Sequence, residues 1–444
     1  MPDRADPGPA MLARPARSIG GTALIPGDKS ISHRAVLLGA VADGVTSVRG
    51  FLRGEDCLAA LAAMRAMGVS IEETLTELRI HGVGPAGLRP PAHPLDLGNS
   101  GTALRLLAGI LAGQAFGSTL TGDDSLRRRP MERVAEPLRR MGARIATTNG
   151  RPPLEIGGGA ALAGIDVSLP MPSAQVKSAI LLAGLWARGQ TTVRSPAVSR
   201  DHTERMLLSM GVELRQPSDL VVTLSGPATL EAADIDVPAD FSSAAFFVVA
   251  ALLGSGSGLL IPRVGVNPTR VGLLQILRQM GAVIEIRNPA SCGAEPVADL
   301  HVVQSALRGV TVAGDLVPLS IDELPVLCIA AACASGRTLI SDAAELRHKE
   351  TDRIAVMAQC LGSLGVHVEE REDGLMIQGG SLRGGLVDSR GDHRIAMACA
   401  IASVAAEREI EILNTAEVAT SFPNFVDVAR GCGLSIADLK GPRM

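Results

Sequence analysis

One pattern recurs six times along the chain. An amphipathic run ends in a hydrophobic residue, then a glycine, then the start of a β-like run, at Met67-Gly68-Val69, Met141-Gly142-Ala143, Met210-Gly211-Val212, Met280-Gly281-Ala282, Leu364-Gly365-Val366 and Cys432-Gly433-Leu434. The intervals between these glycines are 74, 69, 70, 84 and 68 residues. Glycine just past a helix supplies the left-handed conformation that closes its last turn, so each site reads as a helix stop followed by a strand. Regular self-similarity of this kind restricts the chain to architectures built from one repeated unit.

A second element has the same period: a polar loop leading into a very apolar helix. The helices are expected at 35–42, 103–111, 179–187, 244–253, 326–334 and 395–402. Their loops are Gly27-Asp28-Lys29-Ser30, Gly98-Asn99-Ser100-Gly101, Pro172-Ser173-Ala174-Gln175, Pro238-Ala239-Asp240-Phe241, Ser320-Ile321-Asp322-Glu323 and Gly391-Asp392-His393-Arg394. Short β-like runs follow, as at 46–48, 191–193 and 410–413. One unit therefore reads strand, polar loop, buried helix, strand, amphipathic helix, strand. A helix apolar on every side must be enclosed. The second helix is one-sided: over 130–141, Val134, Leu138 and Met141 share a face that Arg133, Arg139 and Arg140 avoid. Six units make two pseudo-symmetric α/β domains of three units more natural than a solenoid, with a dividing line near 237.

The polar loops sit where unpaired backbone N–H groups and the helix dipole favour anions. Ser, Asp and Asn are also ordinary caps, but these loops carry Lys29, Arg34, Gln175, Lys177, Asp322, His393 and Arg394 as well. Converging helix starts would make an anion-binding cleft between the domains. Of the 42 basic residues 38 are Arg and four are Lys, at positions 29, 177, 349 and 440. Lysine is kept at few places, and three of the four lie in polar motifs.

Composition excludes several other roles. Eight aromatic residues (seven Phe, one Trp) cannot build stacking platforms for single-stranded nucleic acid, and a net charge of −4 argues against general nucleic-acid affinity. No apolar run is long enough for a membrane span. Residues 1–17 lack the apolar core of a secretory signal and read as a loose leader. The seven cysteines, at 57, 292, 328, 333, 360, 399 and 432, are scattered, without a C-x-x-C pair. They read as small core residues of a reducing cytoplasm rather than as disulfides or zinc ligands.

Five clusters carry the chemistry. Within Pro26–Arg34, Lys29 and Arg34 can grip one phosphate while Ser30 offers a hydroxyl; this is not a Walker A loop. Arg127-Arg128-Arg129 precedes Pro130, and is either a solvated charge run or one inward arginine among outward ones. Glu345–Arg353 alternates charge densely, and helical spacing would put Lys349 and Arg353 on one face beside Glu350. Asp392-His393-Arg394 opens an apolar helix, and Asp322-Glu323 offers a carboxylate base before another. His33, His202, His348 and His393 fall in four different loops, which disfavours zinc. This is equipment for two small polyanions and for proton transfer.

The nonapeptide Pro26–Arg34, with Gly98-Asn99-Ser100-Gly101-Thr102, Arg129-Pro130-Met131, Ser173-Ala174-Gln175, Arg200-Asp201-His202-Thr203-Glu204, Lys349-Glu350-Thr351-Asp352-Arg353 and Asp392-His393-Arg394, resembles the EPSP synthase (3-phosphoshikimate 1-carboxyvinyltransferase) family. The match runs in register from about residue 18 to 430. The resemblance implies an inside-out α/β barrel of two pseudo-threefold domains, each of three βαβαββ units, with a cleft between them. The domains are expected at 26–237 (units 1–3) and, discontinuously, at 1–25 plus 238–444 (units 4–6 and the N-terminal strand, which in the family belongs with the C-terminal half). It implies cofactor-free, metal-free transfer of the enolpyruvyl group of phosphoenolpyruvate to the 5-hydroxyl of shikimate 3-phosphate, by a cytoplasmic monomer without nucleic-acid or membrane partners.

Carried over residue by residue, the shikimate 3-phosphate site is Lys29, Ser30, Arg34, Ser173, Ala174, Gln175, Arg200, Asp322 and Lys349. The phosphoenolpyruvate site is Lys29, Asn99, Gly101, Arg129, Gln175, Glu350, Arg353 and Arg394. The catalytic set is Asp322 as base at the 5-hydroxyl, with Glu350 and Lys29 or Lys349 handling protons at C3 and at the leaving phosphate. Lys177, two residues after Gln175, is expected to support the cleft. Thr420 stands where many members carry Lys, and Leu106 where one branch carries Pro. The Ser-Ala-Gln and Arg-Asp-His-Thr-Glu motifs resemble the glyphosate-tolerant branch, whereas Gly101 matches the sensitive pattern. The sister transferase acting on UDP-N-acetylglucosamine usually has Lys-Asn at Lys29-Ser30 and a Cys before its phosphoenolpyruvate arginine; residues 117–129 contain none. A non-catalytic scaffold with a basic inner face would call for a basic chain, and this one is acidic.

Overall fold

All six repeat glycines adopt positive φ, at +90° (Gly68), +104° (Gly142), +88° (Gly211), +101° (Gly281), +86° (Gly365) and +97° (Gly433). Each follows a helix, respectively Glu55–Ala66, Glu132–Arg140, His202–Ser209, Gly272–Gln279, Arg353–Ser363 and Phe425–Gly431, and precedes a strand. A side chain with a β-carbon is strained in this region, which is why glycine closes every unit. The structure, a computed structural model, describes residues 9–16 and 18–439.

The described strands form six four-stranded sheets with one shared pattern: a parallel outer pair, then two antiparallel neighbours. Three sheets are contiguous in sequence, for example Asp166–Ser168, Gly189–Arg194, Val221–Gly226 and Leu214–Ser218 in spatial order. The other three borrow strands from afar. Asp234–Asp236 pairs in parallel with Asp43–Arg49, and Ser18–Thr22 with Ser255–Gly265. Ala10–Arg14 is an inner strand between Ile410–Leu413 and Ser435–Leu439, with Met11 opposite Ile412 and Ala13 opposite Ile410. This corrects the expected loose leader over 1–17: Met11 and Ala13 alternate into the core, and that burial holds the strand. Residues 1–8, Arg17 and Lys440, part of the leader and lysine readings, lie outside the described residues.

The chain divides into two units. One comprises Gly27–Pro238 and Ser291–Glu295; the other comprises the chain up to Pro26, Ala239–Ala290 and the chain from Pro296. Each has its own aliphatic core. The second also packs Phe246, Phe247, Phe422 and Phe425 together, with ring centroids 5.6–6.3 Å apart.

The apolar helices are enclosed, as their composition requires: Lys29–Val41, Gly101–Ala112, Ala174–Gly184, Phe241–Leu253, Leu324–Ala332 and His393–Ala402. Burying each of their large aliphatic side chains contributes roughly 1.5–3 kcal/mol. Small residues let them approach closely. A β-carbon on Gly109 would lie 2.3 Å from the carbonyl oxygen of Ala179, so the Gly101–Ala112 and Ala174–Gly184 helices meet backbone to backbone there.

Four of these helices start two to six residues before the expected apolar stretch. A polar side chain caps each: Asp28 accepts from the Ile31 N–H at 2.9 Å, Ser100 from Ala103 at 3.2 Å, Ser173 from Val176 at 3.4 Å, and Asp392 from Arg394 at 2.9 Å. Lys29, Ser30, His33, Arg34, Gly101, Ala174, Gln175, Lys177, His393 and Arg394 therefore stand on the first two turns of helices rather than in loops before them. No described helix is long and apolar enough to cross a membrane.

Candidate active site

Three capped helix starts in the unit of Gly27–Pro238 gather its cations. Lys29 pairs with Asp56 at 2.5 Å (Nζ to Oδ2). Arg34, almost fully buried, donates to Thr203 Oγ1 at 2.7 Å, Ser178 Oγ at 2.9 Å and the Ser30 carbonyl at 2.9 Å. Burial pulls its pKa down to about 10, against the carboxylates of Glu204 and Asp28, so it stays charged at neutral pH. His33, between them, bonds through Nε2 to Ser100 Oγ at 3.3 Å. Burial, then the charges of Lys29 and Arg34, hold the His33 pKa well below the usual imidazole value and keep the ring neutral.

Of the three consecutive arginines, Arg129 is buried and Arg127 and Arg128 are exposed. Arg129 donates to Asn99 Oδ1 and, at 3.3 Å, to Ser125 Oγ, while Asn99 Nδ2 donates to Asp123 at 2.8 Å. Gln175 accepts from Arg105 Nη1 at 2.6 Å and donates to Thr102 Oγ1 at 2.9 Å. A β-carbon on Gly101 would lie 2.8 Å from Arg105 Nη1 and 3.2 Å from Arg129 Nη1. The glycine thus lets two guanidinium groups close over the helix start. Ser173 and Ala174 open the helix that carries Gln175 and Lys177, and Lys177 pairs with Glu204 at 2.6 Å. Arg200, half-buried, precedes Asp201, the residue before the helix His202–Ser209.

Sequence reasoning missed Asp56, Arg105 and the pairing of Glu204. Arg105 had a signal: it is a charge inside an apolar helix, four residues after Gly101 and so on the same face.

The other unit assembles the carboxylates. Arg353 is nearly fully buried and donates to Asp392 at 2.7 Å (Nε to Oδ2) and to Glu350 at 2.6 Å; its Nη1 is 3.5 Å from Asp322 Oδ1. Burial alone would lower its pKa, but Asp392, Glu350 and Asp322 outweigh burial and raise it. Arg394 donates to the Asp322 carbonyl at 3.1 Å and lies 3.7 Å from its carboxylate; Lys349 Nζ is 4.0 Å from Asp322 and 3.4 Å from Glu345. Asp322 thus has three cations within 4.0 Å. The expectation of one helical face for Lys349 and Arg353 is corrected. Ala344–His348 is a short 3-10 turn, Lys349 is extended, and the next helix starts at Arg353 because Asp352 caps it, accepting from the Ala355 N–H at 3.0 Å. The two side chains meet through Asp322 instead.

The model of the EPSP synthase (3-phosphoshikimate 1-carboxyvinyltransferase) family matches residues 13–429. The chain belongs to the EPSP synthase family. It is 58% identical to the 3-phosphoshikimate 1-carboxyvinyltransferase of Methylococcus capsulatus, over 96% of this chain and 97% of that one. It is 54% identical to that of Nitrosococcus oceani, over 96% of each. Among solved structures, the EPSP synthase of Acinetobacter baumannii superposes with a TM-score of 0.87 at 49% identity, covering 97% of this chain and all of that one. Against the family pattern, Thr420 is buried at the end of a 3-10 turn, and its hydroxyl donates to the Glu417 carbonyl at 2.7 Å.

Proposed function

We propose that this chain is a 3-phosphoshikimate 1-carboxyvinyltransferase acting in the shikimate pathway of aromatic amino-acid biosynthesis. In the first step the 5-hydroxyl oxygen of shikimate 3-phosphate bonds to C2 of phosphoenolpyruvate, while the hydroxyl loses its proton and C3 gains one. In the second the resulting tetrahedral intermediate loses a proton from C3 and expels inorganic phosphate from C2, restoring the double bond. The balance needs no redox partner.

Lys29, Ser30, Arg34, Ser173, Ala174, Gln175 and Arg200 bind shikimate 3-phosphate, with Asp322 and Lys349 at its hydroxyls. Lys29, Asn99, Gly101, Arg129, Gln175, Glu350, Arg353 and Arg394 bind phosphoenolpyruvate. The arginines supply fixed charge in forked geometry that suits carboxylate and phosphate. Asp322 takes the hydroxyl proton; Glu350 serves C3, and Lys29 or Lys349 protonates the departing phosphate. The enzyme is a cytoplasmic monomer.

The observation that carries this reading is the Asp322 carboxylate set among Lys349, Arg353 and Arg394, all within 4.0 Å. That arrangement sets a carboxylate among fixed cations that favour anions, with Glu350 held beside it on Arg353. The test is phosphate release from phosphoenolpyruvate with shikimate 3-phosphate or UDP-N-acetylglucosamine as acceptor. Release with the first alone is expected; none with the first refutes the assignment.

A further inference from the structure

Lys177 and Glu204 form an ion pair that none of the proposed substrate contacts includes. Both side chains are almost fully buried, and Lys177 Nζ lies 2.6 Å from Glu204 Oε1. The same Nζ donates to the carbonyl of Ser199 at 3.3 Å. The other oxygen, Glu204 Oε2, is buried without a hydrogen-bond partner among the described residues. The lysine therefore supplies the direct charge compensation of this carboxylate and also holds the backbone one residue before Arg200.

A second tie runs parallel to the first. Ser178, next to Lys177, and Thr203, next to Glu204, bond through their hydroxyls at 2.7 Å, and Arg34 donates to both. The helix carrying Ser173, Ala174 and Gln175 is thereby joined to the segment carrying Arg200 and to Arg34 by two adjacent residues on each side. Of these two ties, the one through Lys177 reaches the Ser199 carbonyl.

We infer that Lys177 is a positioning residue: paired with Glu204 and bonded to the Ser199 carbonyl, it sets where Arg200 stands relative to Ser173, Ala174 and Gln175, and so tunes recognition of shikimate 3-phosphate. This deepens the proposed function and rests on its assignment of Arg200 to shikimate 3-phosphate. A lysine suits the task because a compact ammonium can serve one carboxylate and one carbonyl from a single point, whereas a planar guanidinium cannot occupy that point.

The test uses the full chain with both substrates and three variants. In Lys177→Met/Glu204→Gln both charges of the pair go together, Arg34 keeps Asp28 as its neighbouring carboxylate, and the Ser199 carbonyl loses its donor. The expected result is a KM for shikimate 3-phosphate raised about tenfold, a loss of some 1.4 kcal/mol, with kcat and the KM for phosphoenolpyruvate within about twofold of wild type. Lys177→Arg keeps the charge, covers the case in which the double variant fails to fold, and is expected to show the same split. A purely structural pair predicts instead that the double variant recovers wild-type KM values, and that result, or an equal rise in both KM values, overturns the inference. Arg200→Ala separates the two levels. If it leaves the KM for shikimate 3-phosphate unchanged, the site assignment falls and the inference with it. If it raises that KM while the Lys177 variants do not, the inference alone falls.

Discussion

Arg353 and Asp392 form a buried ion pair at 2.7 Å (Nε to Oδ2) in which each residue also opens a helix. Arg353 is the first residue of the helix Arg353–Ser363, and Asp392 caps the helix His393–Ala402. Two helix starts are thus locked by one contact. The guanidinium's remaining donors face Glu350 and Asp322, so fixing its Nε edge also fixes the distance between those two carboxylates' cationic partner and any anion it binds.

Asp392→Asn tests that lock. The asparagine keeps an oxygen to cap the Arg394 and Ile395 N–H groups, which Asp392 Oδ1 serves at 2.9 and 3.3 Å. What it removes is the charge opposite a buried guanidinium. Breaking one side of a buried pair costs about 3–5 kcal/mol, and urea unfolding of wild type and variant measures it. A loss below about 1 kcal/mol means that Glu350 and Asp322 suffice to hold Arg353.

Gly101→Ala brings a methyl group to 2.8 Å from Arg105 Nη1 and 3.2 Å from Arg129 Nη1. Both are ends of long side chains, so they yield, and the helix itself accepts alanine readily. The expected result is a folded enzyme with a KM for phosphoenolpyruvate about tenfold higher, roughly 1.4 kcal/mol, and a KM for shikimate 3-phosphate nearly unchanged. Steady-state kinetics with each substrate varied in turn decides it; an unchanged phosphoenolpyruvate KM would remove Gly101 from that site.

The repeat was legible because its punctuation is steric. Gly68, Gly142, Gly211, Gly281, Gly365 and Gly433 all take positive φ, and a conformation that disfavours other residues leaves a mark in the sequence. Helix starts were less legible. Apolar composition marks where a helix is enclosed, not where it begins, and Asp28 caps the first helix seven residues before Ala35. Partners across the fold were least legible: Lys29 with Asp56 and Lys177 with Glu204 are 27 residues apart in sequence, and only packing of one helix on another brings them together. The borrowed strand Ala10–Arg14 was hidden for the same reason, since its partners lie at the other end of the chain.

His33 makes stability depend on pH. Its folded pKa is lowered by burial and by the neighbouring cations, while in the unfolded chain an imidazole titrates near 6.5. Below that pH the unfolded state binds a proton that the folded state refuses, so stability falls as the pH drops from about 6.5 towards the folded pKa. The slope attributable to one such group approaches about 1.4 kcal/mol per pH unit. Comparing the pH dependence of urea unfolding for wild type and His33→Gln isolates it from the other histidines. Parallel curves would show that His33 does not refuse the proton.

Glu350 offers the sharpest separation between structure and chemistry. Its Oε2 accepts from Arg353 Nη2 at 2.6 Å, but Arg353 keeps Asp392 and Asp322 when Glu350 is neutralised. Glu350→Gln preserves size, and it loses both the ability to take up and return a proton and one of the three negative charges that face Arg353. If Glu350 handles the proton at C3, kcat falls by about 10²–10⁴, while both KM values and the unfolding midpoint stay close to wild type. Exchange of solvent deuterium into C3 during turnover gives a second measurement, since the tetrahedral intermediate carries a methyl group whose hydrogens the base must choose among. Loss of kcat together with loss of that exchange places the carboxylate at C3. A variant that turns over within about threefold of wild type, a change of some 0.65 kcal/mol in the barrier, would instead leave Glu350 as a tether for Arg353 and return the proton chemistry to the lysines.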